Sequence, residues 1–454
     1  MNKKAPIVVL CCLLIVLLSG WLVGCATAPE RHAQAAVDSA LAAEIAKIKA
    51  IDNHAHPWRV VKEGETDDEW DALIPEGLED APLPVRLRPN NPEYIAAWKA
   101  LYGYKYDDMS EAHLKELREA KQRVMREKGD GYPAWVLDQI GTETMFANRV
   151  AMGRGLQAPR FRWVSYVDAL MLPLSSEGLK KINPDFRAFY PGEDKLLKRY
   201  LAEAQVTTLP ATLDEFMTKV VTPTLERQKR EGALAVKFEA AYLRTFDFAD
   251  APESEAKRIY AKYAKGGEPP AAEYKTLQDY LFRYIAREAG RVGLAVHIHS
   301  GAGVGGYFNI HGANPMLLEQ VFNDPTQRKT NFVLVHGGWP YTREVRALFA
   351  KPNVYADFSA QTFVQYPHEL GHVIRSWLEL APEKVLFGTD AFTITPEVNW
   401  EDLGWLTAKT GREALAIALT GMMNDGEITR ERAMELARMV LRENAIKLYG
   451  LKAQ

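Results

Sequence analysis

The sequence has 454 residues but only 3 cysteines and 10 histidines. It also has no long basic block: 56 Lys and Arg stand against 59 Asp and Glu, for a formal charge of -3. So few cysteines exclude a small disulfide-rich scaffold. The charge balance argues against nucleic acid as a partner. What is present, 47% apolar and 10% aromatic residues, is typical of a large globular fold.

The N-terminal apolar run covers residues 7–18 and follows two lysines. It is too short to span a bilayer comfortably and has the layout of a secretory signal. The sequence Leu-Val-Gly-Cys at residues 22–25 resembles the lipobox of bacterial lipoproteins, in which cleavage leaves a lipidated cysteine. The resemblance implies a signal peptide over 1–24, a lipid anchor on Cys25 and a place in the cell envelope, with the periplasmic side of the outer membrane expected. The alternative is an ordinary signal peptide or an uncleaved anchor.

From residue 51 onward, short β-rich runs alternate with helical stretches, which predicts a parallel sheet covered by helices. Eight runs indicate an α/β fold of the (β/α)8 TIM-barrel type. Residues 25–50 are predicted as a tether and leading helix, and residues 51–454 as the barrel. The long gaps after the first and third runs predict helical insertions, and the C-terminal pattern predicts one helix over 429–449. The predicted strands cover residues 50–53, 144–150, 161–167, 233–239, 293–299, 331–335, 354–358 and 384–388.

Histidines stand at the ends of several predicted strands. His54 and His56 end the first, His299 ends the fifth, His336 follows the sixth, and Asp390 follows the eighth. The C-terminal ends of barrel strands meet at one face, so these side chains are expected to converge there. Two histidines spaced by one residue on a strand point to the same side and can hold one ion. An isolated pair of this kind is more often merely hydrogen-bonded. Here four strand ends carry a histidine or an aspartate, and together they favour a metal site.

Aromatic residues are frequent in the predicted first insertion. They could line a pocket, but local packing is the favoured interpretation. They are Trp58, Trp70, Trp98, Tyr102, Tyr104 and Tyr106.

The order of the strand-end residues resembles the metal-dependent amidohydrolase superfamily. Within it, residues 299–301, 334–343 and 352–357 are similar to the branch of FluG-like and nodulin-like proteins. The resemblance implies that His54 and His56 hold one ion and that His299 and His336 hold a second. Asp390 would bind the first ion and take a proton from the attacking water.

Three further residues take roles from the same resemblance. Lys237 stands on the predicted fourth strand, where binuclear members have a lysine carboxylated by CO2 to bridge two ions. A salt-bridged or substrate-facing lysine is the equally weighted alternative. Arg244 would bind a substrate carboxylate, although an ordinary salt bridge is the commoner fate of arginine. His297 would contact substrate or support the site from the strand.

The expected reaction is hydrolysis of an amide, lactone or ester bond in a small molecule by metal-activated water. Zinc is the expected ion, in one or two copies, with manganese or iron as alternatives. A one-metal decarboxylase on the same barrel is the second hypothesis. The third is a surface lipoprotein that binds a ligand without turnover. The expected partners are the substrate and the membrane, and a homo-oligomer stays open.

Overall fold

A computed structural model describes residues 37–62, 64–79 and 81–452, so Cys25 and the predicted signal peptide lie outside the described residues. Eight parallel strands follow one another around a barrel in chain order. Backbone hydrogen bonds from Asn53 N to Phe387 O and from Asp390 N to His54 O bring its two edges together. The predicted TIM barrel is therefore confirmed. The strands are β1 (Ala50–Ala55), β2 (Thr142–Arg149), β3 (Phe161–Tyr166), β4 (Ala235–Phe238), β5 (Ala295–His299), β6 (Phe332–Val335), β7 (Val354–Asp357) and β8 (Val385–Leu386).

The α-helices include two groups that interrupt the simple alternation. Helices α2–α4 fill the β1–β2 connection and α5–α9 the β3–β4 connection, which confirms helical insertions at these two places. None of the helices in the described ranges is both long and apolar enough to cross a membrane. The helices are α1 (Ser39–Ile45), α2 (Glu93–Tyr102), α3 (Glu111–Lys128), α4 (Tyr132–Gln139), α5 (Asp168–Met171), α6 (Glu177–Ile182), α7 (Tyr190–Glu203), α8 (Leu213–Phe216), α9 (Thr222–Arg230), α10 (Ala240–Leu243), α11 (Glu253–Tyr263), α12 (Ala271–Arg291), α13 (Glu319–Phe322), α14 (Thr342–Leu348), α15 (Gln361–Val364), α16 (Pro367–Leu378), α17 (Trp400–Asn424), α18 (Arg430–Arg438) and α19 (Asn444–Tyr449).

The C-terminal helix closes one end of the barrel. Ala445 of α19 packs in a buried apolar layer to which most of the strands contribute. Tyr449 follows it inward, and its ring makes an edge contact of 4.7 Å with Phe146. The Tyr449 hydroxyl donates to Asn53 Oδ1 and accepts from His297 Nε2 at 2.7 Å. This end of the barrel is therefore a packed floor, which leaves the opposite end for the mouth.

The predicted helix over 429–449 is present, since residues 430–449 are helical throughout. A π-helical turn at Met439–Glu443 separates α18 from α19. The extra residue in this turn changes which side chains face the barrel, a shift that apolar periodicity does not report. The helix ends as predicted at Gly450, which adopts a left-handed conformation with φ 63°.

Most aromatic side chains of the first insertion pack locally, as the favoured interpretation predicts. Trp98, Tyr102 and Tyr104 are buried in a cluster that joins α2 to α17. Trp70 differs, because its ring lies 6.1 Å from the ring of His56. The insertion therefore contributes one aromatic residue to the mouth.

Candidate metal centre

Three of the predicted ligands converge where β1 and β8 end. His54 Nε2 lies 3.1 Å from Asp390 Oδ1, and His56 Nε2 lies 3.4 Å from the same oxygen. One donor atom from each residue falls within 4.8 Å of the other two. The structure thus places together the three residues predicted to hold the first ion.

The two remaining histidines lie beside this group. His336 Nε2 is 3.2 Å from His299 Nδ1. The ring centroids of His336 and His54 are 5.0 Å apart, and the second oxygen of Asp390 lies 3.8 Å from His336 Nδ1. Four histidines and one carboxylate from β1, β5, β6 and the end of β8 therefore form one buried cluster.

Hydrogen bonds on the outer side of three rings fix which nitrogen carries a proton. His299 Nε2 faces the Ala302 carbonyl at 3.2 Å, which can only accept, so this nitrogen is the donor. His336 Nδ1 donates to Ser359 Oγ at 3.0 Å, because that hydroxyl donates onward to Asp357. The two nitrogens that face each other, His299 Nδ1 and His336 Nε2, then both carry a lone pair and no hydrogen. Two lone pairs 3.2 Å apart repel each other unless a cation lies near both.

The ring of His56 is oriented in the same way on the other side of the cluster. His56 Nδ1 donates to Asp71 Oδ2 at 2.9 Å, which leaves its Nε2 to face the Asp390 carboxylate. Both ring nitrogens of His54 are buried without a hydrogen-bond partner, although Nε2 is close to Asp390. Acceptors facing acceptors in a buried pocket fit a divalent cation, because an ion supplies the positive charge that they lack.

The electrostatics favour a neutral ring at three of the four histidines. Burial holds the pKa of His54, His299 and His336 well below the usual histidine value, and the Lys237 ammonium lowers all three further. Burial also opposes the charged form of His56, but Asp71 and Asp390 outweigh it and raise the pKa of His56 to about 9. A divalent ion bound to His56 would displace the second proton of this ring, because only the neutral ring is a ligand.

Backbone strain is concentrated at two of the predicted ligands. His336 has φ 67° and Asp390 has φ 54°, both in the left-handed region. Such residues cost about 1–3 kcal/mol each and cluster at functional sites. Gly337 continues the turn after β6, and a Cβ there would lie 2.3 Å from Trp377. The fold therefore tolerates strain to turn these two side chains into the cluster.

Lys237 stands on β4 with a fully buried side chain. It pairs in register with His297 of β5, and its Nζ makes no hydrogen bond. The nearest carboxylate oxygen, on Glu239, is 3.8 Å away. Burial raises the pKa of Glu239 well above its usual value and that of Asp168 to about 7. A buried ammonium without a hydrogen bond is costly, so the site is suited to a modified lysine or to one that binds a ligand.

His297 and Arg244 have protein partners away from the cluster. His297 is fully buried and bonds to Tyr449 of the floor. The Arg244 guanidinium donates to Asp279 Oδ1 at 2.6 Å and to Gln278 Oε1 at 3.1 Å. The substrate contacts predicted for His297 and Arg244 stay predictions, because the structure shows only protein partners for these two side chains.

Sequence reasoning missed the residues that orient the ligands. Asp71 lies in a turn-rich part of the first insertion, where no periodicity marks it, and Ser359 follows β7. Asp357, within a motif used for the family resemblance, accepts from the backbone N–H of His336 at 2.9 Å and from Asn53 Nδ2 at 2.7 Å. The position of Asp357 at the end of a strand is the signal that the sequence offers for this residue.

Replacing Asp71 by Asn should weaken metal binding by about 10-fold, since partners on the outer nitrogen of a ligating histidine contribute 10- to 100-fold to affinity. The amide still accepts a hydrogen bond from His56 but no longer increases the basicity of the ring. Competition with a chromophoric chelator measures the change. Asp108→Asn is the matched control, because Asp108 pairs with the half-buried His113 on the surface at 2.7 Å. Equal affinities for the two variants would contradict the role of Asp71.

Comparisons with known proteins agree with this geometry. The family model described as Amidohydrolase matches residues 225–451. Protein fluG of Emericella nidulans is 27% identical over 226 residues, which cover 47% of this chain and 25% of that protein. The chain thus spans about a quarter of the length of that relative.

Solved structures share the fold. The uronate isomerase of Thermotoga maritima matches with a TM-score of 0.59 at 16% identity, over 90% of this chain and 96% of that chain. A Lactobacillus casei protein assigned as a metal-dependent hydrolase matches with a TM-score of 0.57 at 16% identity, over 90% and 97%. The glucuronate isomerase of Caulobacter crescentus gives 0.57 at 14% identity, over 91% and 94%. At these identities the likeness concerns the barrel alone.

Proposed function

The chain belongs to the amidohydrolase family, and on this basis we propose that it is a metal-dependent hydrolase acting on an amide, lactone or ester bond of a small molecule. The observation that carries the proposal is the set of two lone pairs, on His299 Nδ1 and His336 Nε2, that face each other at 3.2 Å in a buried site. Such a set binds a cation, and hydrolysis is a common use of a cation with histidine and carboxylate ligands.

His54, His56 and Asp390 would hold one ion, and His299 and His336 a second. Nitrogen and carboxylate donors suit zinc best, with manganese or iron as alternatives. A bound divalent ion supplies a Lewis acid that polarises the scissile carbonyl and acidifies water.

Asp390 is the proposed proton carrier. It lies between the two histidine pairs, with one oxygen near His54 and His56 and the other on the His336 side. From this position it takes the proton of the attacking water and returns it to the leaving group. The strained backbone holds the carboxylate in place before substrate arrives.

Lys237 determines the number of ions in this proposal. Carboxylated by CO2, it would offer two anionic oxygens to a pair of ions, and its buried Nζ without a hydrogen bond supports this state. The alternative is a one-metal decarboxylase with an unmodified ammonium, supported by the Glu239 carboxylate 3.8 Å from Nζ. The two proposals differ in the metal content of the folded chain.

The deciding experiment is elemental analysis of the full-length chain after expression with added zinc or manganese, combined with intact-mass detection of CO2 on Lys237. We expect close to two ions per chain, fewer in His54→Ala and His299→Ala, and metal-dependent turnover of simple esters or amides. A single ion with unmodified lysine would favour decarboxylation. A folded chain without metal would overturn both the hydrolase and the decarboxylase proposals, and a protein that binds a ligand without turnover would be the remaining hypothesis.

We also propose that the chain is anchored to the cell envelope through a lipid on Cys25. The support is the lipobox-like sequence before this cysteine. Mass analysis of the N-terminal peptide from membranes tests it, and an unmodified Cys25 would refute it.

A further inference from the structure

A pocket of about 390 Å³ lies next to the metal centre, at the ends of β4 and β5. Residues of α6, α10, the start of α12 and the loop after β5 line it. Tyr242 borders both the pocket and the centre, because this side chain lines the pocket and its ring lies 4.7 Å from the ring of His299. The volume is in the range of small-molecule sites.

The wall between the pocket and His299 is aromatic. Phe186, Tyr242 and Phe308 contact one another with ring separations of 5.8, 5.1 and 5.9 Å. The loop after β5 presses on this wall at Gly303, where a Cβ would lie 2.7 Å from Phe308 and 2.8 Å from Tyr242. The loop therefore holds the aromatic rings in place, and these rings present a fixed apolar surface to the pocket.

The rim of the pocket is apolar as well as exposed. Ile182 is 63% exposed and Tyr307 is 64% exposed, and both line the pocket. Val304 and Ile310, on the same loop as Tyr307, are also exposed. Four of the nine large apolar side chains that are exposed in the described part of the chain thus belong to this small region. Grouped exposure of this kind marks a binding surface.

The charges of the pocket are already neutralised. Arg244 and Lys275 are the charged residues of its lining. Asp279 binds both, with oxygens 2.6 Å from Arg244 and 2.9 Å from Lys275, and Asp247 lies 3.3 Å from Lys275. Two cations face two carboxylates, so the pocket offers little free positive charge to an anion.

We infer that this pocket is the subsite for an uncharged apolar arm of the substrate, such as an aryl group or a short acyl chain, next to the bond that is broken. The inference rests on the proposed hydrolase function. It gives Arg244 the role of holding the pocket wall through Asp279, in place of the predicted contact with a substrate carboxylate. An arm in the pocket would extend from the metal centre past Tyr242 to the rim at Ile182 and Tyr307.

The test compares hydrolysis of p-nitrophenyl acetate and p-nitrophenyl hexanoate by the metal-loaded chain. The hexanoate has four further methylenes, and since each buried methylene favours binding about fourfold, its kcat/KM should be roughly 250-fold higher. The double variant Ile182→Ser, Tyr307→Ser should lower this selectivity about 10-fold. Leu380→Ser is the matched control, because Leu380 is 51% exposed and does not line the pocket.

A hexanoate preference below about threefold, or one unchanged in the double variant, would overturn the inference while leaving hydrolysis intact. Binding of hexanamide, followed by saturation-transfer NMR, separates the subsite from turnover. If the wild-type chain hydrolyses neither ester but binds hexanamide, and the double variant loses this binding, the subsite stands and the hydrolase proposal fails. If hexanamide binds equally to the double variant, the subsite is refuted.

Discussion

Asp390→Asn is expected to lower kcat for metal-dependent ester hydrolysis by about 1000-fold, within the range that a positioned proton carrier contributes. The amide has nearly the shape of the carboxylate but cannot take a proton from water. It also removes the negative charge that lies between His54, His56 and His336. Steady-state kinetics at saturating ester, with metal content measured on the same samples, give the result.

The substitution adds no backbone strain at position 390, because Asn adopts the left-handed region as readily as Asp. Loss of activity therefore reports on the carboxylate and not on the turn. Asp138→Asn serves as control, since Asp138 pairs with Arg160 on the surface at 2.9 Å. A kcat within tenfold of the native value, with metal still bound, would refute Asp390 as the proton carrier.

The barrel and the ligand positions could be predicted from sequence because both depend on local pattern. Each strand carries a short apolar run, and the histidines stand where the runs end, so topology alone brings them together. The eighth strand shows the limit. Its predicted range, 384–388, shortens to Val385–Leu386, because Lys384 belongs to a 3-10 turn and the chain after Leu386 turns toward β1 to bond with Asn53.

The residues that orient the ligands could not be predicted in this way. Asp71 reaches His56 from an insertion without strands, and Tyr449 reaches His297 from α19, outside the strands. Such contacts depend on tertiary packing between segments far apart in sequence. Arg244 shows the same dependence, since the structure provides Asp279 as a partner that no motif indicated.

Lys237→Ala is expected to remove one of two ions and to lower kcat about 100-fold if the lysine is carboxylated, because the bridging oxygens are lost with it. The cavity that remains lies close enough to His54, His299 and His336 for the Lys237 charge to lower the pKa values of all three in the native chain. Added formate or acetate should enter this cavity and restore both the second ion and part of the activity. Elemental analysis and ester hydrolysis with and without formate measure the two effects.

The rescue distinguishes the two states of Lys237 because their charges have opposite sign. A carbamate is an anion among cations, so a small carboxylate can replace it. An unmodified ammonium would use Glu239 as its counter-ion, and methylamine would replace it. Lys237→Arg sharpens the contrast, since it keeps the positive charge and cannot carry CO2. Ester hydrolysis retained in Lys237→Arg, or rescue of Lys237→Ala by methylamine alone, would exclude the carboxylated lysine and the two-ion site that depends on it.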